Sequence, residues 1–317
     1  MSSITIADIT AKPNSKTRGY LDIGEPEYNI PFVIINGANK GKTIAVLGGV
    51  HGTEHPGVEA IIRLTQTLDP AQLSGTVIAV PVVNTPQFLG HSQFTSPVDG
   101  LNLNSEFPGA PEGSLTQRIA HKVFTQIVSK CDTLIDCHGG DVDENINGFV
   151  VASSSGDPTL DRISLEMASC YDSGLVHVFP SEEKGMSNSA QRIYEIPCIQ
   201  PEAGTPFPVR EEAVQFHLDG IINVLRYFQM LPGEPKRYHQ LVSPRRLKLF
   251  SEHNGIWESH CQLDQRVEKG ETLGVVKNYF GDTIQTIHAP EAGIVSMMRC
   301  YYAVKLEELL LVVSTLA

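Results

Sequence analysis

Residues 43–57 read TIAVLGGVHGTEHPG. The first six, TIAVLG, are a short apolar run with β-branched content, the length and composition of a buried strand. Two glycines then permit a tight turn. Pro56 suits a first helical position, and Val58, Ile61, Ile62, Thr65 and Leu68 keep one helix face apolar. A buried strand that passes through glycine into a helix is the building unit of an α/β sheet.

The alternation continues outward from this stretch. Residues 76–83, 132–137, 148–152, 175–179 and 196–200 also read as strands. Ser114 with Gln117 forms a capping-box signature, followed by Leu115, Ile119, Val123 and Ile127 at helical spacing. A longer helix is expected over 211–230, where Val214, Leu218, Ile221, Ile222, Leu225 and Phe228 stay in register. Residues 1–235 are therefore expected to form an α/β domain with a mixed, mostly parallel sheet flanked by helices. The Leu231-Pro232-Gly233 stop changes the pattern, and residues 236–246 read as a linker. Beyond Leu247, glycines at 255, 270, 274, 281 and 293 separate short strands, which predicts a small all-β, barrel-like domain over 247–317.

Composition narrows the function class. The chain has 317 residues and a net charge of −12, with 41% hydrophobic and 19% charged residues, as expected of a globular protein. Its acidity and the lack of a Lys/Arg block argue against nucleic acid or an anionic membrane as partner. No apolar run approaches the ~18 residues of a membrane span, and the N-terminus lacks a signal peptide's apolar stretch. Six scattered cysteines without a CxxC pair read as reduced thiols, so a cytoplasmic location is expected.

Three strand ends carry candidate chemistry, and in open α/β sheets ligands collect beyond the carboxyl ends of strands. His51 and Glu54 follow the first strand, and His138 follows DTLIDC (132–137). Imidazole and carboxylate both suit zinc, and three protein ligands plus an open position is the catalytic arrangement. Asp136 shares a strand face with His138 and is placed to orient it. Glu202, at the third strand end, is placed to move protons as a general acid/base. Plainer readings stand beside these: a hydrogen-bonded structural histidine, a glutamate at a helix N-terminus, a solvated loop carboxylate. The pattern by itself leaves both open. Two other motifs are set aside. The HxxEH at 51–55 is bracketed by Gly52 and Pro56, so it is not a helical zinc site and His55 is no ligand. The GANKGKT at 37–43 is a residue short of a P-loop and precedes its strand, so it reads as a turn.

The chain resembles the succinylglutamate desuccinylase/aspartoacylase family of zinc carboxypeptidase-like hydrolases. The resemblance lies in GGVHGTEHPG (48–57), VVNTPQF (82–88), DGLNLNSEFPG (99–109), LIDCHGG (134–140) and PEAG (201–204). RVEKGETLG (266–274) and IHAPEAGIV (287–295) are similar to the family's small β domain. The resemblance implies one zinc per chain bound by His51, Glu54 and His138, with Glu202 as general acid/base. It also implies hydrolysis of a small N-acyl substrate by metal-activated water.

Two departures bear on the substrate. Where many members carry an arginine before DGxNLN, this chain has Gln93, and where they favour Asn-Arg it has Asn104-Ser105. Asn104, Gln93 and Ser105 are the expected substrate-binding residues, yet none is a cation. Loss of one oxyanion donor costs ~10²–10³ in turnover elsewhere. Either another cation serves, Arg192 being the nearest unassigned one, or the substrate lacks the usual carboxylate, or catalysis is impaired. The leading expectation is a zinc-dependent deacylase. A carboxypeptidase-like enzyme and a metal-binding protein with impaired turnover are the alternatives, and a homo-oligomer is compatible with all three. In the β domain, Lys277 is off-centre for a biotinyl or lipoyl attachment lysine, so a structural or site-shaping role is expected there. Trp257, His253 and His260 read as packing or surface residues.

Overall fold

The computed structural model describes residues 2–180 and 184–316. A short hairpin of β1 (Ile4–Ile6) and β2 (Ile9–Ala11) precedes the main sheet. The main sheet draws on β3 (Ser15–Leu21), β4 (Ile30–Asn36), β5 (Asn39–Gly48), β6 (Ser74–Val80), β7 (Thr133–Cys137), β8 (Glu144–Ser154), β9 (Leu175–Pro180) and β10 (Cys198–Gly204). Interleaved are α1 (His55–Thr67), α2 (Thr85–Gly90), α3 (Leu103–Glu106), α4 (Leu115–Gln126), α5 (Pro158–Ala168), α6 (Met186–Tyr194) and α7 (Glu211–Tyr227). Among the described residues, no helix is long and apolar enough to cross a membrane.

The centre of the sheet, β6-β5-β7-β10, is parallel, while β3, β4 and β8 join antiparallel. The mixed α/β architecture is thus the expected one, with a second parallel stretch where β9 pairs with β8. Strand β5 shows why the sequence folds this way. Side chains alternate across a sheet, so Ile44 and Val46 enter the core beneath α1 and α7, whereas Ala45 and Leu47 enter the core beneath α4 and α6. A strand buried on both faces needs apolar residues at every position, and TIAVL supplies them. α4 starts with the expected capping box of Ser114 and Gln117. The stretch expected to be a turn at 37–43 is shorter: β5 already begins at Asn39. The last strand is longer than expected, running past Glu202 to Gly204.

The C-terminal strands are β11 (Leu241–Ser243), β12 (Arg246–Phe250), β13 (Gly255–Ser259), β14 (Arg266–Val267), β15 (Thr272–Lys277), β16 (Thr283–His288), β17 (Gly293–Arg299), β18 (Ala303–Val304) and β19 (Leu309–Ser314). β16, β15, β13 and β18 form one antiparallel sheet. β12, β19 and β17 form a second that continues the main sheet, because Met298 and Arg299 pair with Asn145 and Glu144 of β8. Trp257, Leu273, Val276, Ile287, Val295, Leu311 and Val313 fill the space between these two sheets. The stretch read as a linker contains β11, which pairs in parallel with β9.

Candidate metal centre and its pocket

β5 and β7 are adjacent and parallel, with Leu47 opposite Asp136 and Gly48 opposite Cys137, so their carboxyl ends finish side by side. After β5 the chain turns at Gly49, whose φ of 62° suits glycine. Gly52 lets this turn press against the next segment: a Cβ there would lie 2.2 Å from the Phe88 backbone nitrogen. Glu54 precedes α1, yet its side chain makes no capping bond. It turns instead toward the two histidines.

The three side chains converge. Glu54 Oε1 lies 2.7 Å from His51 Nδ1 and its Oε2 lies 2.8 Å from His138 Nδ1. One ligand atom from each of His51, Glu54 and His138 falls within 4.8 Å of the others, and all three residues are buried. The outer ring nitrogens each face an oxygen, although the approach of Asp136 to His138 Nε2 is an ionic contact and not a directed hydrogen bond. Asn102 Oδ1 is 3.2 Å from His51 Nε2, and Asp136 Oδ2 is 3.2 Å from His138 Nε2. The Gly139 N–H donates to Glu54 Oε2 at 3.1 Å. Phe94 stands edge-on to His51 with ring centroids 5.7 Å apart, and its backbone N–H donates to Asp141.

The electrostatics follow from burial and pairing. Burial alone would raise the Glu54 carboxyl, but His51 and His138 outweigh it and hold Glu54 well below its ordinary value. Burial would likewise lower both imidazoles, yet Glu54 raises His51, and Asp136 with Glu54 raises His138. The two imidazoles thus favour protons that supply the positive charge Glu54 demands. A metal cation would satisfy the same demand, and two imidazole nitrogens with one carboxylate suit zinc.

Glu202 follows from sheet pairing. It is bridged to His138 on one side and paired with Phe149 of β8 on the other, so the three side chains share a face. Burial pushes its carboxyl up to about 8. His51, Glu54, His138 and Glu202 line one cavity of about 310 Å³ with Phe94, Asn102, Asn104, Glu144, Lys184, Asn188, Arg246 and Lys248. Phe149, Val151, Met297 and Val312 form its apolar wall. A larger hollow of about 590 Å³, beside Asn145, Asp172, Arg210, Phe216 and Asp219, contains none of the four.

The residues expected to bind substrate fare differently. Asn104 lines the cavity, with its Oδ1 accepting from the Met186 N–H at 2.9 Å. The Gln93 amide donates to Asp143, and Gln93 does not line the cavity. Ser105, half-buried on α3, lies outside the lining as well. Arg192, the cation nearest at hand in the sequence, is exposed on α6 and borders a separate hollow with Ser155, Asp157 and Glu195, outside the lining of this cavity. The cations that do line the cavity went unread in the sequence. Arg246 and Lys248 alternate with Leu247 and Leu249, a signal for a strand with one basic and one apolar face.

Comparison with known proteins agrees with this architecture. A protein from Halomonas elongata, N-alpha-acetyl-L-2,4-diaminobutyric acid deacetylase, is 28% identical over 254 residues, covering 78% of this chain and 73% of that protein. Two solved structures share the fold. The product-bound ectoine utilization protein EutE (DoeB) from Ruegeria pomeroyi superposes with a TM-score of 0.88 at 24% identity, over 99% of this chain and 98% of that one. A succinylglutamate desuccinylase/aspartoacylase from Rhodobacter sphaeroides gives 0.86 at 24% identity, over 95% of each chain. Residues 40–228, more than half of the sequence, match the succinylglutamate desuccinylase/aspartoacylase catalytic domain, and the chain belongs to that family.

Proposed function

We propose that the protein is a zinc-dependent deacylase that hydrolyses the amide bond of a small N-acylated amino acid or amine, with one zinc per chain held by His51, Glu54 and His138. The observation that carries this reading is the convergence of two Nδ1 atoms and one carboxylate, within 4.8 Å, at a cavity wall. Asn102 and Asp136 engage the outer nitrogens and so keep both Nδ1 atoms turned inward. A bound zinc would supply Lewis acidity toward the acyl carbonyl and a lower pKa for water.

The remaining work falls to the chain's own groups. Glu202, on the same sheet face as His138, takes a proton from water and returns it to the leaving amine. Its burial favours holding that proton, while the charges of His138 and Arg246 favour releasing it. The apolar wall keeps bulk water away and strengthens each polar contact. In this reading residues 247–317 act as a site-shaping unit, since Lys248, Met297 and Val312 belong to them. A cavity of about 310 Å³ suits a small molecule better than a polypeptide. The Halomonas relative, a deacetylase of an N-acetylated diamino acid, directs the choice toward N-acyl amino acids.

Purified protein should carry about one zinc per chain and hydrolyse N-acyl amino acids in preference to unblocked peptides. Glu202→Gln should lower hydrolysis by ~10²-fold or more and retain the metal. Full activity in that variant would remove Glu202 from the mechanism. Activity that survives complete metal removal would overturn the zinc reading.

A further inference from the structure

Sheet order sets the groups of the site side by side. β6, β5, β7, β10 and β8 are successive neighbours. His51 and Glu54 follow β5, to one side of His138, and Glu202 on β10 lies to the other, paired with Phe149 of β8. The apolar wall of the cavity comes from β8, β17 and β19. Among the described residues that line the cavity from elsewhere, Phe94 alone is large and apolar, and its ring stands against His51 with centroids 5.7 Å apart. Phe94 belongs to a strap, residues 92–95, that two fully buried side chains tie to the turn carrying His51 and Glu54. The Asp141 carboxylate accepts from the Phe94 N–H at 2.8 Å and from the Thr53 hydroxyl at 2.7 Å. The Gln87 amide donates to the Ser92 carbonyl at 2.8 Å, while its oxygen accepts from the Gly52 N–H at 3.0 Å. These bonds hold Phe94 at a φ of 51°, a left-handed conformation that a bulky residue seldom adopts unless its surroundings fix it.

We propose that Phe94 is a specificity-determining residue that closes the acyl end of the cavity and limits the length of the acyl group. The inference rests on the deacylase reading and deepens it. Hydrolysis needs the scissile carbonyl at the His51, Glu54 and His138 cluster and the leaving nitrogen within reach of Glu202, which returns a proton to it. A planar amide sends its nitrogen and its acyl chain in diverging directions from the carbonyl carbon. With the nitrogen on the Glu202 side of His138, the acyl chain runs toward His51, where the Phe94 ring bounds the space. A short acyl group ends before the ring, whereas a longer one must displace it. Displacement is resisted, because the strap shares its buried hydrogen bonds with Gly52 and Thr53, which lie between two of the ligands. Rigid support of this kind is what lets one side chain discriminate by size.

The test uses the full, zinc-loaded chain and the Nα-acetyl, Nα-butanoyl and Nα-hexanoyl derivatives of L-alanine, L-aspartate and L-2,4-diaminobutyrate. In the parent protein kcat/KM should fall by roughly 10-fold or more from acetyl to hexanoyl. Phe94→Ala should raise the hexanoyl-to-acetyl ratio by roughly 10-fold or more, while the order of the three amino acids at fixed acetyl stays that of the parent. Phe94→Tyr keeps the ring and should keep the parent ratio. Melting and metal analysis establish that each variant is folded and loaded; should Phe94→Ala fail either check, Phe94→Leu is read in its place and should shift the ratio in the same direction. Direct binding supplies an independent readout. Calorimetric titration of acetate and hexanoate, the acyl halves that hydrolysis releases, into Glu202→Gln protein should show hexanoate tightened relative to acetate by roughly 10-fold once Phe94→Ala is added. The proposal is overturned if the parent accepts hexanoyl as readily as acetyl, or if the folded, loaded variant keeps the parent ratio. It is also overturned if that variant alters the preference among amino acids and not among acyl groups, or if no derivative is turned over and neither acid binds. Binding whose dependence on acyl length requires Phe94, without turnover of any derivative, would sink the deacylase reading and leave the acyl boundary standing.

Discussion

Replacing Arg299 with methionine should destabilise the fold by about 3–5 kcal/mol, the usual consequence of removing one partner from a buried ion pair. Arg299 ends β17 with its side chain only 5% exposed. Its guanidinium meets Asp143 Oδ2 at 2.6 Å and Glu308 Oε2 at 2.7 Å, and its Nε donates to the Ala303 carbonyl at 3.2 Å. Asp143, whose side chain is 11% exposed, would keep only the Gln93 amide as a side-chain partner among the described residues. Methionine fills most of the volume but returns no charge, so the carboxylate would stay buried and uncompensated. An unfolding entropy of about 2.1 cal/mol/K per residue gives about 0.7 kcal/mol/K for this chain, so Tm should fall by roughly 5–7 °C. Scanning calorimetry reads that shift directly. Adding Asp143→Asn removes the stranded charge, so the double variant should recover about 2 kcal/mol or more relative to the sum of the single losses. A Tm within a degree of the parent for Arg299→Met, or strict additivity in the double variant, would refute the idea that this pair clamps β17 to the turn after β7.

Three further outcomes are expected. Gly52→Ala must displace the Phe88 backbone, since its Cβ would lie 2.2 Å from that nitrogen, so metal affinity measured by competition with a chelator should drop by at least ~10-fold. Asp136→Asn keeps the shape but loses the charge 3.2 Å from His138 Nε2; metal affinity should weaken by ~10–100-fold, and an unchanged affinity would show that Asp136 does not orient the ligand. Burial, with a smaller push from Arg246, lowers His177 to about 3, so the folded chain keeps it neutral while the unfolded chain takes up a proton near 6.5. The stability it contributes is complete above about pH 6.5 and is lost as pH falls toward 3, amounting to about 2 kcal/mol at pH 5. His177→Asn should flatten the Tm–pH slope between pH 6.5 and 4.5, and an identical slope would contradict the assignment.

Much of the frame could be read locally. Strand β5, the capped helix α4 and helix α7 each declare themselves within fewer than twenty residues, because burial of both faces of a strand, or one stripe of a helix, requires a matching apolar pattern. The glycine-flanked positions of His51, His138 and Glu202 could be read for the same reason: each sits where an apolar run stops. Helix α6 was less legible, since Ser187, Asn188 and Ser189 are buried polar residues that break the usual stripe. Gln93 illustrates a different limit. Its residue type suggested a hydrogen-bond donor to substrate, but Asp143, anchored by Arg299, captures the amide.

By itself, then, the amino-acid order determined the α/β class, the family and the four side chains gathered at the strand ends. Those features depend on short-range periodicity and on glycine turns, which are written within each segment. Only the tertiary structure decided what closes the other side of the cavity. β17 pairs with β8 across a long stretch of chain, and that junction, together with the pairing of β11 on β9, carries β19 and β12 into place. Such pairing is chosen by the fit of distant faces, so the arrival of Arg246 and Lys248 at the cavity that Glu202 also lines has no local signature beyond a strand with one basic edge.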